Sequence, residues 1–166
     1  GVTLNTLAGH HSAVRDVVFL PDGQHALSGS DDDSLILWNL VTGKPQNVFW
    51  VGERDQVAVA LHPTGQKAFS VTRGGEFYEW DLQDAAILKR FGQQVDMIFD
   101  VAYSSDGAQV LSCAGSPAPS VPARDPSLRL WNLQSGQLLQ VMTPPVQVNY
   151  QCALSPDGRW ALSGGD

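Results

Sequence analysis

Apolar and polar residues alternate along this chain in short runs, and a period of two is typical of β-strands rather than helices. The first such run is 15–19, and a Pro-Asp-Gly turn separates it from a second run. Within the first 49 residues the pattern predicts four strands separated by turns, at 15–19, 25–28, 35–38 and 46–49, and we call this set of four strands the first unit. No window shows a sustained helical period, so the pattern predicts an all-β chain.

The four-strand unit recurs along the chain. Two sets of residues mark it, the glycines of the first turns and the tryptophans of the third strands: Gly23, Gly65, Gly107 and Gly158, and Trp38, Trp80 and Trp131. Both sets advance by 42 residues until their last step, which is 51. One insertion of nine residues therefore lies between Gly107 and Trp131. A unit this small cannot bury its own apolar face, so such units stack on their neighbours.

The first unit also carries specific residues in a fixed order. They are Gly9-His10, the Pro-Asp-Gly turn, Ser28-Gly29-Ser30-Asp31 and Leu37-Trp38-Asn39. In this combination the chain resembles the WD repeat of β-transducin-like propellers over essentially its whole length. The resemblance implies a β-propeller of four-stranded antiparallel blades. The expected division is an outer strand at 1–8, blades at 13–49, 55–91 and 97–142, and a partial blade at 148–166.

The expected division amounts to about four repeats. One outer strand, three blades and two strands of a fourth lack the strand that would close a ring. We therefore expect a segment of a larger propeller of seven or eight blades. A four-bladed ring and an assembly of two chains are the alternatives.

Four residues of the first unit have the spacing of the buried hydrogen-bonded tetrad that the resemblance implies: His10, Ser28, Asp32 and Trp38. A His, a Ser and an Asp also suggest a nucleophile with its base. No oxyanion donor or nucleophile motif accompanies them, so we interpret the tetrad as structural.

The later units keep only parts of the tetrad, namely Ser70 and Trp80, then Ser112, Asp125 and Trp131, and then Ser163. The positions of the His hold Gly52, Gln94 and Pro145, and Gly74 replaces the second Asp. Because a satisfied polar network fixes loop geometry, we expect the loops of the second and fourth blades to be more mobile than those of the first.

The resemblance further implies that partners dock on the top face, where first strands begin and second strands end. The residues expected there are Ala13, Arg15, Asp31, Asp55, Val57, Arg73, Met97, Phe99, Arg124, Val148 and Tyr150. Aromatic residues, Met and Arg are enriched at protein-binding hot spots. Phe99 and Tyr150 could instead point into the core, because a shift of one residue reverses every side chain of a strand.

The nine-residue insertion lies within 115–126, on the same predicted top face. Four prolines restrict this segment to extended shapes, which lowers the entropy cost of presenting a side chain to a partner. It is interpreted either as a binding loop or as a tolerated surface insertion.

Composition narrows the classes of partner. The 166 residues include ten Lys and Arg against 17 Asp and Glu, a net charge of -7, which speaks against a nucleic-acid partner. No apolar run approaches the ~20 residues of a membrane span and no signal peptide opens the chain, so we expect no membrane partner and a cytoplasmic location. Cys113 and Cys152 lie in apolar runs without metal-ligand spacing and are interpreted as buried side chains.

The sequence predicts a non-catalytic scaffold or regulatory module that binds a protein or peptide on its top face, with no cofactor and no metal. Further blades or a second chain are expected to close the ring. The alternative is a sensor or interaction segment of a larger multidomain signalling protein or enzyme. A propeller enzyme with carboxylates at the central channel is disfavoured, because Ala58 and Gln151 interrupt the series of Asp16 and Asp100.

Overall fold

The computed structural model describes residues 3, 5–50, 56–116, 124–145 and 148–165. These residues form strands and turns and no helix, which confirms the prediction of an all-β chain. Accordingly, no helix within the described ranges is long and apolar enough to cross a membrane. Predictions for Gly52, Asp55 and residues 117–123 of the insertion lie outside the described residues.

The strands form three complete four-stranded sheets and one two-stranded sheet, all antiparallel and in chain order. Blade 1 consists of β1 Val14–Phe19, β2 His25–Ser30, β3 Ser34–Asn39 and β4 Lys44–Trp50. Blade 2 consists of β5 Gln56–Leu61, β6 Lys67–Thr72, β7 Glu76–Asp81 and β8 Ala86–Gln93. Blade 3 consists of β9 Met97–Tyr103, β10 Gln109–Gly115, β11 Leu128–Asn132 and β12 Leu138–Met142. Blade 4 consists of β13 Asn149–Leu154 and β14 Ala161–Gly165.

The first turn of every blade depends on its repeated glycine. Gly23, Gly65, Gly107 and Gly158 adopt positive φ angles of 65°, 72°, 71° and 68°. A residue with a Cβ is strained in this region, so the spacing of these glycines fixes where each first strand reverses into the second. The tight turn aligns the two strands in the same register in each blade.

The core lies between the blades rather than inside any one of them. One apolar cluster joins blades 1 and 2, a second joins blades 2 and 3, and a third joins blades 3 and 4. The first cluster includes Leu27 of β2, Val59 of β5 and Trp80 of β7. Each blade is thus stabilised by its neighbour, as expected for a stacked repeat.

The described residues before blade 1, which are residue 3 and residues 5–13, are not assigned to a strand, and the outer strand expected at 1–8 stays a prediction. The segment is nevertheless attached, since Asn5 Nδ2 donates a hydrogen bond to the carbonyl oxygen of Leu40 at 3.1 Å.

Candidate functional site

The four tetrad residues of blade 1 form one connected network. His10 lies between Asp32 and Ser28, with Nδ1 3.0 Å from Asp32 Oδ2 and Nε2 2.7 Å from Ser28 Oγ. Trp38 Nε1 donates to the same Ser28 Oγ at 2.8 Å. If Nδ1 of His10 carries the ring proton, it donates a hydrogen bond to Asp32, and the Ser28 hydroxyl donates one to Nε2. Each hydrogen bond of the network then has a donor and an acceptor. The network therefore ties the segment before β1 to β2, to the β2–β3 turn and to β3.

Asp32 is held as a carboxylate by its surroundings. Burial alone would raise its pKa, but hydrogen bonds from the Ser34 hydroxyl, the His11 backbone N–H and His10 outweigh burial and lower the pKa far below its usual value. The two carboxylate oxygens of Asp32 together accept these hydrogen bonds, which hold the β2–β3 turn in place. Through these contacts Asp32 holds the β2–β3 turn against the segment before β1.

Blade 3 rebuilds the network with a different residue in place of the His. Trp131 Nε1 donates to Ser112 Oγ at 3.1 Å, and Ser112 Oγ donates to Gln94 Oε1 at 2.9 Å. Gln94 Nε2 then donates to the carbonyl oxygen of Ser127 at 2.8 Å, and the Ser127 hydroxyl donates to Asp125. A Gln amide can accept at one end and donate at the other, as a neutral His does, so the same path is completed.

The remaining blades keep less of the network. In blade 2, Trp80 Nε1 donates to Ser70 Oγ at 2.9 Å, and Gly74 supplies no carboxylate. In blade 4, Ser163 is exposed on β14. The predicted difference in loop mobility between blades stays a prediction.

A β-bulge recurs at the start of each first strand. The register shifts between Val14 and Asp16 in β1, and the equivalent shifts in β5, β9 and β13 leave Val57, Phe99 and Tyr150 at the bulged positions. A bulge inserts one unpaired residue and re-aims its side chain. The residue in blade 1 is Arg15, so all four bulged positions are among those expected on the top face.

The top face of blades 1 and 2 carries a charged cluster. Arg15 forms an ion pair with Asp31 of the β2–β3 turn, and Arg73 of the β6–β7 turn approaches the same carboxylate at 3.5 Å. The hydrogen bond from Arg15 is the main reason that the pKa of Asp31 lies below its usual value. The cluster therefore links the top loops of two neighbouring blades.

The top face of blades 3 and 4 is aromatic. The rings of Phe99 and Tyr150 meet edge to face, with centroids 5.3 Å apart. Tyr150 is exposed, whereas Phe99 is half-buried because its other side packs on the cluster between blades 3 and 4. Met97 is half-buried and Ala13 and Arg124 are exposed.

Val148, a member of the predicted docking set, is buried, with 6% of its surface exposed. The side chain of Val57 lies outside what the structure describes. The backbone of Val148 forms an antiparallel bridge with Gly115 at the end of β10, which brings it under the neighbouring blade. The expectation that Val148 belongs to the exposed top face is therefore wrong.

The carboxylates of the first strands form hydrogen bonds with neighbouring blades. Asp16 accepts a hydrogen bond from Val59 N–H of blade 2 at 3.0 Å, and Asp100 accepts one from Cys152 N–H of blade 4 at 2.9 Å. Burial is the main cause that raises the pKa of Asp100, and the charge of Asp16 adds to it, while the N–H donors of Cys152 and Val101 lower it. Each carboxylate joins its blade to the next.

Side chains of the outer strands form contacts between blades that the sequence analysis did not identify. On the outer side, Asn47 Nδ2 donates to the Leu82 carbonyl at 3.0 Å and Lys89 Nζ donates to the Leu133 carbonyl at 2.7 Å. Asn5 makes the equivalent contact in front of blade 1. Their spacing of 42 residues is a signal that could have identified them.

Asp96 anchors the end of the insertion. Its Oδ2 accepts hydrogen bonds from the backbone N–H groups of Arg124 and Asp125, each at 2.6 Å. Asp125 is also paired with Arg129 of β11. This end of the insertion is thus fixed to the start of β9, and no sequence motif marks Asp96.

The two cysteines lie in the same apolar cluster. Cys113 and Cys152 are buried in the cluster between blades 3 and 4 and form no disulfide, which confirms that they are buried side chains. Across the described ranges, no three His, Cys, Asp or Glu residues lie together in a way that could hold a metal ion.

Comparison with known proteins agrees with this architecture. The family model described as "WD domain, G-beta repeat" matches residues 1–39, which include the tetrad of blade 1. Protein groucho of Drosophila melanogaster is 24% identical over 153 residues, which is 91% of this chain and 20% of groucho. The chain therefore spans about a fifth of the length of that relative. The matched first repeat and the recurring four-strand unit support the predicted resemblance to WD-repeat proteins.

Proposed function

We propose that this chain is a non-catalytic scaffold or regulatory module that binds a protein or peptide on its top face. WD repeats indicate a protein-interaction scaffold. The observation that carries the finer proposal is the repeated bulge, which places one unpaired residue at the same end of each of the four blades. A bulge interrupts strand pairing and changes the direction of a side chain. Bulges are common next to functional sites, so a bulge that recurs at one end of every blade favours that end as the binding surface.

The side chains at this end suit a peptide with both polar and apolar groups. Arg15 and Arg73 converge on Asp31, so their guanidinium groups are held in place before a partner arrives. Preorganised side chains lose less entropy on binding. The Phe99–Tyr150 pair offers an apolar, half-open contact on the neighbouring blades. We propose that a partner places an apolar side chain against this aromatic pair.

The same geometry supports a non-catalytic role. In blade 1, both ring nitrogens of His10 are engaged within the tetrad. The carboxylates of Asp16 and Asp100 accept backbone N–H groups of neighbouring blades. Hydrogen-bonded acids and bases can still catalyse, as in the Ser–His–Asp triad, so the non-catalytic role is proposed from the structural contacts of these groups together with the lack of a nucleophile motif in the sequence.

The proposed partners exclude nucleic acid and membrane surfaces. The net charge of -7 disfavours contact with phosphates, since nucleic-acid affinity depends on Lys and Arg. Two of the three arginines predicted on the top face, Arg15 and Arg73, are shared with Asp31. A cytoplasmic location remains part of this proposal.

The experiment is selection of a random displayed-peptide library on the immobilised chain, followed by fluorescence anisotropy with the selected peptides. Arg15→Ala and Phe99→Ala should each weaken binding by about 1–3 kcal/mol, or roughly 5- to 150-fold in Kd. Val41→Ala is the matched control, since Val41 is an exposed apolar residue in the β3–β4 turn at the opposite end of blade 1.

Unchanged affinity in both top-face variants would contradict the proposed docking surface. Loss of affinity in the Val41 variant would move the site to the opposite end.

A second candidate is favoured by the extent of the match with groucho. Nearly all of this chain aligns with only 20% of that protein. This supports a second proposal, in which the chain acts as an interaction or sensor segment of a larger multidomain signalling protein or enzyme. The intact mass of the natural polypeptide tests this, because a mass near 17.9 kDa would contradict it.

A further inference from the structure

A cleft opens between blades 1 and 2 at the end opposite the top face. Its volume is about 420 Å³, within the range of roughly 300–1,000 Å³ that is typical of ligand sites. The β1–β2 turn of blade 1 and the β5–β6 and β7–β8 turns of blade 2 contribute to its walls. Both blades are complete four-stranded sheets, so the cleft does not depend on what lies beyond either end of the array.

The cleft combines an apolar floor with an acidic rim. Its floor consists of three leucines that are each more than nine-tenths buried, Leu20, Leu37 and Leu82. Asp22 of blade 1 and Asp81 of blade 2 stand on its rim. Amide side chains add further hydrogen-bond acceptors to the lining, from Gln46, Gln66 and Gln83. A ligand with an apolar stem and a positively charged head matches both parts.

The carboxylate of Asp81 has an oxygen available for a ligand. Asp81 Oδ1 accepts a hydrogen bond from the Asp84 N–H at 3.0 Å, which holds the β7–β8 turn. Asn39 and Asn132 accept the equivalent bond in blades 1 and 3, so the turn itself requires an acceptor and no charge. Among the contacts of the described residues, Oδ2 of Asp81 accepts no hydrogen bond.

On the blade 1 side of the rim, Asp22 is held as a carboxylate. The N–H of Gln24 donates to its Oδ1 at 2.8 Å, and this bond, followed by that from the His25 side chain, lowers the pKa of Asp22 below its usual value. In blade 2 the uncharged Thr64 accepts the equivalent turn bond, from the Gln66 N–H. The negative charge of the rim is therefore not a requirement of this turn either.

Between blades 2 and 3, the chain supplies basic side chains of its own at the equivalent positions. Lys67 stands where blade 1 has His25, and its Nζ lies 3.3 Å from a carboxylate oxygen of Glu79. Glu79 is 7% exposed and stands where blade 1 has Leu37. This interface therefore accommodates a cation beside a buried carboxylate.

Lys89 is the second basic side chain at the interface of blades 2 and 3. It stands where blade 1 has Asn47, and its Nζ donates to the Leu133 carbonyl at 2.7 Å. The shorter Asn47 donates to the equivalent Leu82 carbonyl at 3.0 Å. Blade 1 thus keeps the contact between blades but brings no positive charge to it. None of the described residues that line the cleft is a Lys or an Arg.

We propose that this cleft receives the side chain of an arginine from a protein partner. The aliphatic stem packs on the leucine floor, and the guanidinium group donates to the carboxylates of Asp22 and Asp81. An arginine fits better than a lysine, because its planar group has five N–H donors for several acceptors and is less strongly hydrated. The net charge of -7 further favours the approach of a basic partner. The cleft lies at the opposite end of the blades from the proposed top-face site, so this inference is independent of that site.

The test is a titration of the isotope-labelled chain with Nα-acetyl-arginine methylamide, followed by NMR of the backbone amides. This blocked arginine represents a residue within the chain of a partner. Saturable shifts are expected for the amides around the cleft, at 22–25, 65–66 and 81–84. The citrulline analogue has the same shape without the charge and should bind at least about fivefold more weakly.

Asp22→Asn and Asp81→Asn each remove one charge but keep the oxygen that accepts the turn hydrogen bonds, so both variants should fold as the wild type does. Each should weaken the binding of blocked arginine roughly two- to fivefold. Asp106→Asn is the matched control, since Asp106 accepts the same turn bond in blade 3, from the Ala108 N–H at 2.9 Å, and lies outside the cleft. It should leave the affinity unchanged.

The amide spectra also show whether each variant is folded. The proposal would be overturned by the absence of saturable shifts, by equal affinity for the citrulline analogue, or by unchanged affinity in both cleft variants. An equal loss in the Asp106 variant would also overturn it, because the effect would then come from the overall charge. Free arginine that binds more tightly than the blocked form would overturn the assignment to a protein partner, since recognition would then involve its α-amino and α-carboxylate groups.

Discussion

The serine on the second strand is the point where each tetrad converges, so its removal measures what the network contributes. Ser28 Oγ contacts His10 Nε2 at 2.7 Å and Trp38 Nε1 at 2.8 Å, and both partner side chains are buried. Ser28→Ala leaves two buried polar groups without this partner. Each costs about 1–3 kcal/mol, so the free energy of unfolding should fall by about 2–6 kcal/mol.

Blade 2 supplies the matched comparison. In the part of the chain that the structure describes, Ser70 Oγ has one hydrogen bond, from Trp80 Nε1 at 2.9 Å. Ser70→Ala should therefore cost about 1–3 kcal/mol. Ser112→Ala in blade 3 removes the partner of both Trp131 and Gln94 and should resemble Ser28→Ala.

The assay is urea unfolding followed by tryptophan fluorescence and by circular dichroism, with coincident transitions as the check on two-state behaviour. Ser163→Ala serves as the control, since this serine is exposed and its loss should change stability by no more than about 0.5 kcal/mol. Equal losses for Ser28→Ala and Ser70→Ala would refute the reasoning, because the contacts to His10 would then contribute nothing to stability.

Two further predictions concern the acid response and the backbone. Because hydrogen bonds lower the pKa of Asp32 below 3.8 despite its burial, its carboxylate contributes stability that is present above the unfolded-state pKa and lost as pH falls through the folded-state pKa. Asp32→Asn should therefore lower stability near neutral pH and flatten its decline from about pH 5 to about pH 3, as urea unfolding at each pH would show; an unaltered slope would contradict this. Gly75 has a φ of +82°, and a Cβ there would lie 2.2 Å from the Gln94 carbonyl oxygen, so Gly75→Ala should cost about 2–4 kcal/mol. Gly158→Ala, at φ +68° with nothing within 4 Å, should cost only about 1 kcal/mol, and equal shifts of Tm for the two variants would argue against the close contact.

Sequence reasoning located the members of the tetrad because their spacing depends on short, regular strands and turns. It did not show that Gln94 completes a network in blade 3, since this depends on the distance from its amide to Ser127 across two strands. Gln94 stands where blade 1 has His10, and its amide, like a neutral His, offers one hydrogen-bond acceptor and one donor group. Only the positions of Ser112 and Ser127 decide whether that chemistry is used.

For the top face, the sequence identified positions along the chain but not the burial of every side chain. The repeat period identified the bulged positions of Arg15, Phe99 and Tyr150, although no residue type in the sequence marks a bulge. Val148 has a similar sequence position but is buried, because its backbone bridges to Gly115 of another blade. Burial at the start of a strand depends on what lies above it, and this is a property of the neighbouring blade.

The sequence by itself determined the strands, the turns and the period of the repeat. Alternating polarity and turn glycines act over a few residues, so they can be interpreted without knowledge of the fold. The tertiary structure decided which polar groups hold the blades together, such as Asp16 with Val59, because these partners lie a whole repeat apart.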